Sequence, residues 1–332
     1  MKICIYGAGA VGGLMAGRLA QAGHEVSVVA RGAHLTAIRD KGLRILFEEK
    51  EIQVCVKAES APARLGPQDY VIVAVKGQSL PEVAAGIAPL LGESTSIVTA
   101  MNGVPWWFFD RLPFASERTG RGDGRLRLES LDPGGKISAA MPTERVVGCV
   151  VHLAASTPAP GLIRHNMGQR LILGEPGCRN TARTHAIVAA LQGAGFEAVE
   201  SAFIEKDFWV KLLGNVSFNP VSALTLATAN RLIADAQVKA YMVAIMRECL
   251  AIGRAVGVDA DIDPEARMDM ARKLGAFKTS MLQDMEAGKK LEIDGLLTGT
   301  LEIAQKAGVA APFTESLAGL ARLRAESTNQ YP

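Results

Sequence analysis

Short continuous apolar runs alternate with stretches in which apolar residues recur every three or four positions. Residues 2–6, 25–29 and 69–76 are the clearest runs. Between the first two, Val11, Leu14, Met15, Leu19 and Ala22 recur at helical spacing and Gly23 supplies a stop. The nearly unbroken apolar character of 69–76 fits a strand covered on both faces, as in a parallel sheet. Further strands are predicted at 96–100, 145–155, 171–174 and 196–199, with helices at 33–41, 79–91 and 181–193. Residues 43–47 and 52–56 read as two strands of a small excursion. Such alternation predicts an α/β fold, a doubly wound sheet with right-handed crossovers. From about residue 200 strand patterns cease, and helices are predicted at 204–218, 221–234, 236–256, 264–288, 291–308 and 312–326. Two domains follow from this change of pattern, 1–199 and an all-helical 200–332.

The turn after the first strand reads Gly7-Ala8-Gly9-Ala10-Val11-Gly12. In the context strand, turn, helix, strand, this G-x-G-x-x-G spacing predicts a Rossmann-type dinucleotide site. Gly7 makes the tight turn, Gly9 lets backbone approach a pyrophosphate, and Gly12 lets helix and strand pack closely. The alternative is a purely structural glycine turn. An NAD enzyme usually places an acid at the end of the second strand, whereas Val28-Val29-Ala30-Arg31 offers a guanidinium. Arg31 therefore favours NADP, since its planar fork suits a phosphate; a solvated loop arginine is the alternative. Ligands of such sheets sit beyond the carboxyl ends of the strands, which puts Lys76 and Asn102 on the same rim. Asn102 can donate and accept hydrogen bonds, although Asn-Gly is also a common turn.

Charge and cysteines narrow the function classes. A formal charge of +2 and no basic run with interleaved aromatics point away from nucleic acid, and no apolar run has membrane-spanning length. Arg118, Arg121, Arg125 and Arg127 form a local basic cluster that reads as a solvated loop. Cys4, Cys55, Cys149, Cys178 and Cys249 are scattered, odd in number and without C-x-x-C pairs, as in a reducing compartment. Met1-Lys2-Ile3 enters a strand at once, so no signal peptide is expected. The expectation is a cytoplasmic protein without a structural metal.

Two helical regions carry polar groups in apolar surroundings. Lys211, Asn215 and Asn219 stand at i, i+4 and i+8 and so share one helix face. A substrate with a carboxylate and a carbonyl would satisfy them, and a solvent-facing stripe is the competing reading. Later, Ser280 can donate to a carboxylate and Glu292 can accept from a substrate hydroxyl, while glutamate near a helix start is also ordinary helix electrostatics.

Taken together, these motifs resemble the ketopantoate reductase (2-dehydropantoate 2-reductase) family over essentially the full length. The resemblance rests on residues 7–12, Val75-Lys76, Asn102-Gly103, Lys211 to Asn215 through Asn219-Pro220, Ser280 to Asp284, and Glu292 to Gly295. It implies NADPH-dependent reduction of a 2-oxo acid, supplying D-pantoate for pantothenate and coenzyme A synthesis. It further implies Lys211 as proton donor and Glu292 as an acid touching ligand. Asn102 would contact cofactor and substrate, Asn215, Asn219 and Ser280 the substrate, and Ala154 and Lys76 the cofactor. A further family asparagine falls within one residue of Asn230. Cofactor and proton donor would lie on different domains, so closure over the substrate is expected. The sequence leaves room for a homodimer.

Residues 106–140 exceed what the family's shortest members need, and Trp106-Trp107-Phe108-Phe109 follows Asn102 closely. These aromatics either cover the substrate mouth or pack the long excursion onto the body of the domain. Reduction of another 2-oxo acid is therefore the alternative function, and a non-catalytic dinucleotide sensor a third. Lys211 and Glu292 speak against the sensor, which needs no proton donor.

Overall fold

The computed structural model describes residues 1–47, 50–119, 126–273 and 275–331. The chain divides into two compact units: residues 1–101 with 135–204, and residues 102–134 with 205–332.

The first unit is built on one mixed sheet. Its strands are β1 (Lys2–Tyr6), β2 (Glu25–Val29), β3 (Leu43–Phe47), β4 (Lys50–Val54), β5 (Lys57–Glu59), β6 (Gln68–Val73), β7 (Leu91–Ala100), β8 (Val146–Ala159), β9 (Leu162–Gly174) and β10 (Glu197–Glu200). The order is β4-β3-β9-β8-β7-β6-β1-β2-β5, with β10 also paired to β9. The pairs from β8 through β7, β6, β1 and β2 to β5 are parallel. Ile3, Ile5, Val28, Ile72 and Val98 in these strands are fully buried, as double coverage of a parallel sheet requires. Each crossover then needs a long connection, and the helix Ala10–Gln21 supplies the one between β1 and β2.

Two sequence expectations are corrected here. Residues 43–54 are not an excursion. Leu43 and Ile45 are fully buried, and β3 joins the sheet by pairing Arg44–Leu46 in parallel with Leu162–Arg164 of β9. The short runs at 145–155 and 171–174 belong to one long antiparallel hairpin, β8 with β9. Arg164, Asn166 and Arg170 of β9 are exposed polar residues, so half of this strand lacks an apolar signature.

The second unit is helical, and residues 102–134, read from sequence as part of the first domain, cluster with it. The aromatic run explains why. Trp106, Trp107, Phe108 and Phe109 are at most 4% exposed. Trp107 meets Phe208 edge-on at 5.4 Å, and Phe108 packs on Trp209 at 5.4 Å. They are core side chains of this unit rather than a cover for a substrate mouth. Farther along, the Glu302 carboxylate accepts from the Glu129 and Ser130 amides and from the Ser130 hydroxyl, at 2.9, 2.9 and 2.6 Å. Burial works to raise the pKa of Glu302, but these bonds and nearby Lys306 outweigh it and hold it below the usual carboxylate value. Of the basic cluster, Arg121, Arg125 and the side chain of Arg118 lie outside the described part; Arg127 pairs with Glu129.

Helix boundaries depart from the predicted ones for local reasons. Ile204–Thr225 runs on through Pro220, where a stop is predicted. A mid-helix proline costs about 3 kcal/mol, and burial of Val216, Phe218 and Val221 offsets it. Residues 264–288, predicted as one helix, form Pro264–Lys273 and Ser280–Glu286. Gly275 between them has φ +74°, and the Thr279 hydroxyl accepts from the Leu282 amide as an N-cap. The predicted 291–308 helix begins with a π turn, Asp294–Thr298, before Gly299–Ala307.

Candidate active site

In the first unit, Tyr6, Gly7, Ala8, Gly9, Val29, Ala30, Arg31, His34 and Val75 line one pocket. The Gly7 and Ala8 amides both donate to the Val29 carbonyl, which ties the glycine turn to the end of β2. Gly12 is required by close approach: a Cβ there would lie 2.1 Å from the Gly7 carbonyl oxygen. At Gly9, by contrast, a Cβ would meet nothing within 4 Å, so backbone here borders open space. Gly9 caps the helix Ala10–Gln21 without a side-chain hydrogen bond, and no acid stands in its first turn. Its N-terminal amides and dipole are thereby left for an anion. These features fit a dinucleotide pyrophosphate.

Arg31 follows β2 by two residues and carries the only side-chain charge among the pocket's lining residues apart from any on His34. Its guanidinium pairs with Glu82 at 2.6 Å, both side chains being more than half exposed. An exposed pair of this kind is worth under about 1 kcal/mol, so a phosphate can compete for the arginine. His34 is a residue that sequence spacing does not reveal. Its Nδ1 accepts from the Gly161 amide at 2.9 Å, leaving Nε2 to donate to the Ala8 carbonyl at 2.7 Å. The ring pins the glycine turn to the end of the β8–β9 hairpin. Lys76 lies beyond β6, next to the pocket residue Val75, and is half-buried. Ala154 sits within β8 opposite Met167 and is not one of the pocket's lining residues.

In the second unit, the Lys211 ammonium donates to Asn102 Oδ1 at 2.8 Å. Along the helix Ile204–Thr225, Lys211, Gly214 and Asn215 are half-buried, whereas Leu212, Leu213, Val216 and Ser217 are buried. The polar stripe is therefore the one accessible strip of an otherwise enclosed stretch. Asn219 continues it into the interior, 6% exposed, with Nδ2 3.5 Å from Ser280 Oγ. Ser280 is placed by its neighbour Thr279, whose hydroxyl is hydrogen-bonded to Ser222 of the same long helix.

Asn102 is held by its neighbours. Gly103 has φ +80°, and a Cβ would fall 2.4 Å from the Gly295 carbonyl oxygen. Only glycine lets the two backbones meet so closely. The Val104 amide donates to that carbonyl at 3.0 Å. One residue earlier, Asp294 Oδ1 accepts from Thr298 and from the Tyr331 hydroxyl, at 2.8 and 3.0 Å. Thus the π turn just after half-buried Glu292 fixes the residue that accepts from Lys211. Asn102, Lys211, Asn219, Ser280 and the Glu292 segment belong to this one unit. Asn230 is exposed, and its amide oxygen accepts from Thr228. Tyr331 has no local sequence signal; its role comes from tertiary contact alone.

Comparison with known proteins shows the family. The model of Ketopantoate reductase PanE/ApbA matches residues 3–105, and that of its C-terminal part, Ketopantoate reductase PanE/ApbA C terminal, matches 204–325. A 2-dehydropantoate 2-reductase of Mesorhizobium japonicum is 42% identical over 332 residues, all of both chains. Among solved structures, a Ralstonia solanacearum MolK2 protein assigned as a ketopantoate reductase superposes with a TM-score of 0.94 at 47% identity, covering 99% of each chain. The 2-dehydropantoate 2-reductase of Geobacter metallireducens GS-15 gives 0.84 at 27%, covering 98% of this chain and 100% of its own. This chain belongs to the ketopantoate reductase family.

Proposed function

We propose that this chain reduces 2-dehydropantoate (ketopantoate) to D-pantoate with NADPH, a step toward pantothenate and coenzyme A. The observation that carries the reading is the ammonium of Lys211, held by Asn102 on the accessible strip of an otherwise buried helix. NADPH supplies the hydride. As negative charge develops on the ketone oxygen, a positioned ammonium stabilises it and then gives it a proton, worth about 10²–10⁴-fold for the acid catalysis. Asn102, Asn215, Asn219 and Ser280 hold the substrate, and Glu292 accepts from its hydroxyl. Residues 7–12 and Arg31 hold the cofactor, with Lys76 and Ala154 as further contacts. Cysteines that form no disulfide among the described residues suit a reducing compartment, and we assign the reaction to the cytoplasm.

Cofactor choice gives a first prediction. Arg31→Ala should weaken NADPH binding by about 10–100-fold, the worth of a charge-assisted fork on a phosphate. NADH lacks the 2′-phosphate and should lose little. Equal losses, measured by fluorescence titration of both cofactors, would show that Arg31 does not read that group.

The function itself is tested by screening 2-oxo acids for NADPH oxidation. Ketopantoate should be the best substrate of the panel. Failure to turn it over while another 2-oxo acid is reduced would reassign the substrate.

A further inference from the structure

Arg267 projects from the helix Pro264–Lys273, and its half-buried guanidinium forms no hydrogen bond or ion pair with any described residue. Its acidic neighbours are engaged elsewhere. The Asp263 carboxylate accepts from the Glu265 and Ala266 amides, Glu265 pairs with Lys239, and Asp269 pairs with Arg272. The side chain instead reaches the accessible strip of the helix Ile204–Thr225. A Cβ on Gly214 would come 3.2 Å from Arg267 Nη2 and 3.7 Å from Nε. Gly214 stands at i+3 from Lys211 and next to Asn215, so the guanidinium lies beside the proton donor's strip. Burial pulls the pKa of Arg267 down, the mark of a cation denied water without a compensating anion. Lys211, by contrast, is already committed to Asn102.

We propose that Arg267 is the carboxylate anchor of the substrate site, taking the planar carboxylate of the 2-oxo acid in its fork of donors while Lys211 addresses the ketone. The inference rests on the 2-oxo acid reading above. It makes Gly214 a specificity residue as well, since a Cβ there would press on the guanidinium and push it off its place against the helix.

The test is calorimetric binding of D-pantoate and D-pantoamide to the NADP⁺-loaded protein; the amide keeps the skeleton and hydroxyls but replaces one carboxylate oxygen and its charge with a neutral NH2. Wild type should prefer pantoate by about 10–100-fold, as for a charge-assisted bidentate contact. Arg267→Gln should bring that ratio close to one through loss of pantoate affinity alone, and Arg267→Lys should restore part of it. Gly214→Ala guards against misfolding, because alanine favours a helix yet would crowd the guanidinium; it should lower the ratio at least severalfold. Unchanged NADP⁺ affinity certifies the fold of each variant. A preference for pantoate that survives in Arg267→Gln, or wild-type indifference to the amide in a protein that does reduce ketopantoate, would overturn the anchor alone. Wild type that neither binds pantoate nor reduces ketopantoate would overturn the functional reading and the anchor with it.

Discussion

Replacing Lys211 with alanine should lower kcat for ketopantoate by about a thousandfold, within the range for loss of a positioned general acid. The dissociation constant for NADPH should stay within about twofold, because the glycine turn and Arg31 belong to the other compact unit. Two effects are lost together: the positive charge that stabilises the developing alkoxide, and the proton that completes the product. Lys211→Arg separates them. Arginine keeps the charge but holds its proton far too tightly to give it up at neutral pH, so it should recover little of the rate. Near-normal turnover by either variant would place the proton donor elsewhere. Asn102→Ala should act in the same direction but less severely, since it removes an acceptor that aims the ammonium and a substrate contact while the ammonium itself remains.

The second large effect is discrimination between substrates. Ketopantoate should be preferred over 2-oxoisovalerate, which lacks the hydroxymethyl group, by at least about a hundredfold in kcat/KM. An apolar pocket alone distinguishes one methylene by only about 1–3 kcal/mol, whereas a site built to hydrogen-bond a hydroxyl strands a buried polar group when that hydroxyl is missing. Glu292, half-buried beside the π turn that docks on Gly103, is the group that would lose that hydroxyl. Glu292→Gln keeps size but trades charge for an amide, so it should narrow the preference mainly through poorer use of ketopantoate. Similar efficiencies for the two acids in wild type would remove the basis for a pantoate assignment.

The legible parts of this chain were those whose cause is local. Strand, glycine turn and helix over residues 2–21 follow from periodicity and from the need for small residues where β1 meets its helix, and the bounds agree to within a residue. The stripe Lys211, Asn215, Asn219 was equally visible, because i, i+4 spacing is a property of any helix. What escaped depends on distant partners. Residues 102–134 join the helical unit because Trp107 and Phe108 find Phe208 and Trp209, a pairing no local pattern announces. β3 reads as an excursion because its parallel partner lies more than a hundred residues later. His34, Tyr331 and Arg267 are ordinary in sequence; they acquire meaning from the Ala8 carbonyl, Asp294 and Gly214 that the fold brings to them.

The central claim, hydride reduction of ketopantoate to D-pantoate, is tested most directly by isotope transfer. The purified protein is incubated with ketopantoate and NADPH carrying deuterium at both C4 positions, and the product is analysed by mass spectrometry and chiral chromatography. The expected result is D-pantoate with one deuterium at C2, formed in step with NADPH consumption and lost in Lys211→Ala. The absence of pantoate from a reaction in which the protein oxidises NADPH with another 2-oxo acid would contradict it.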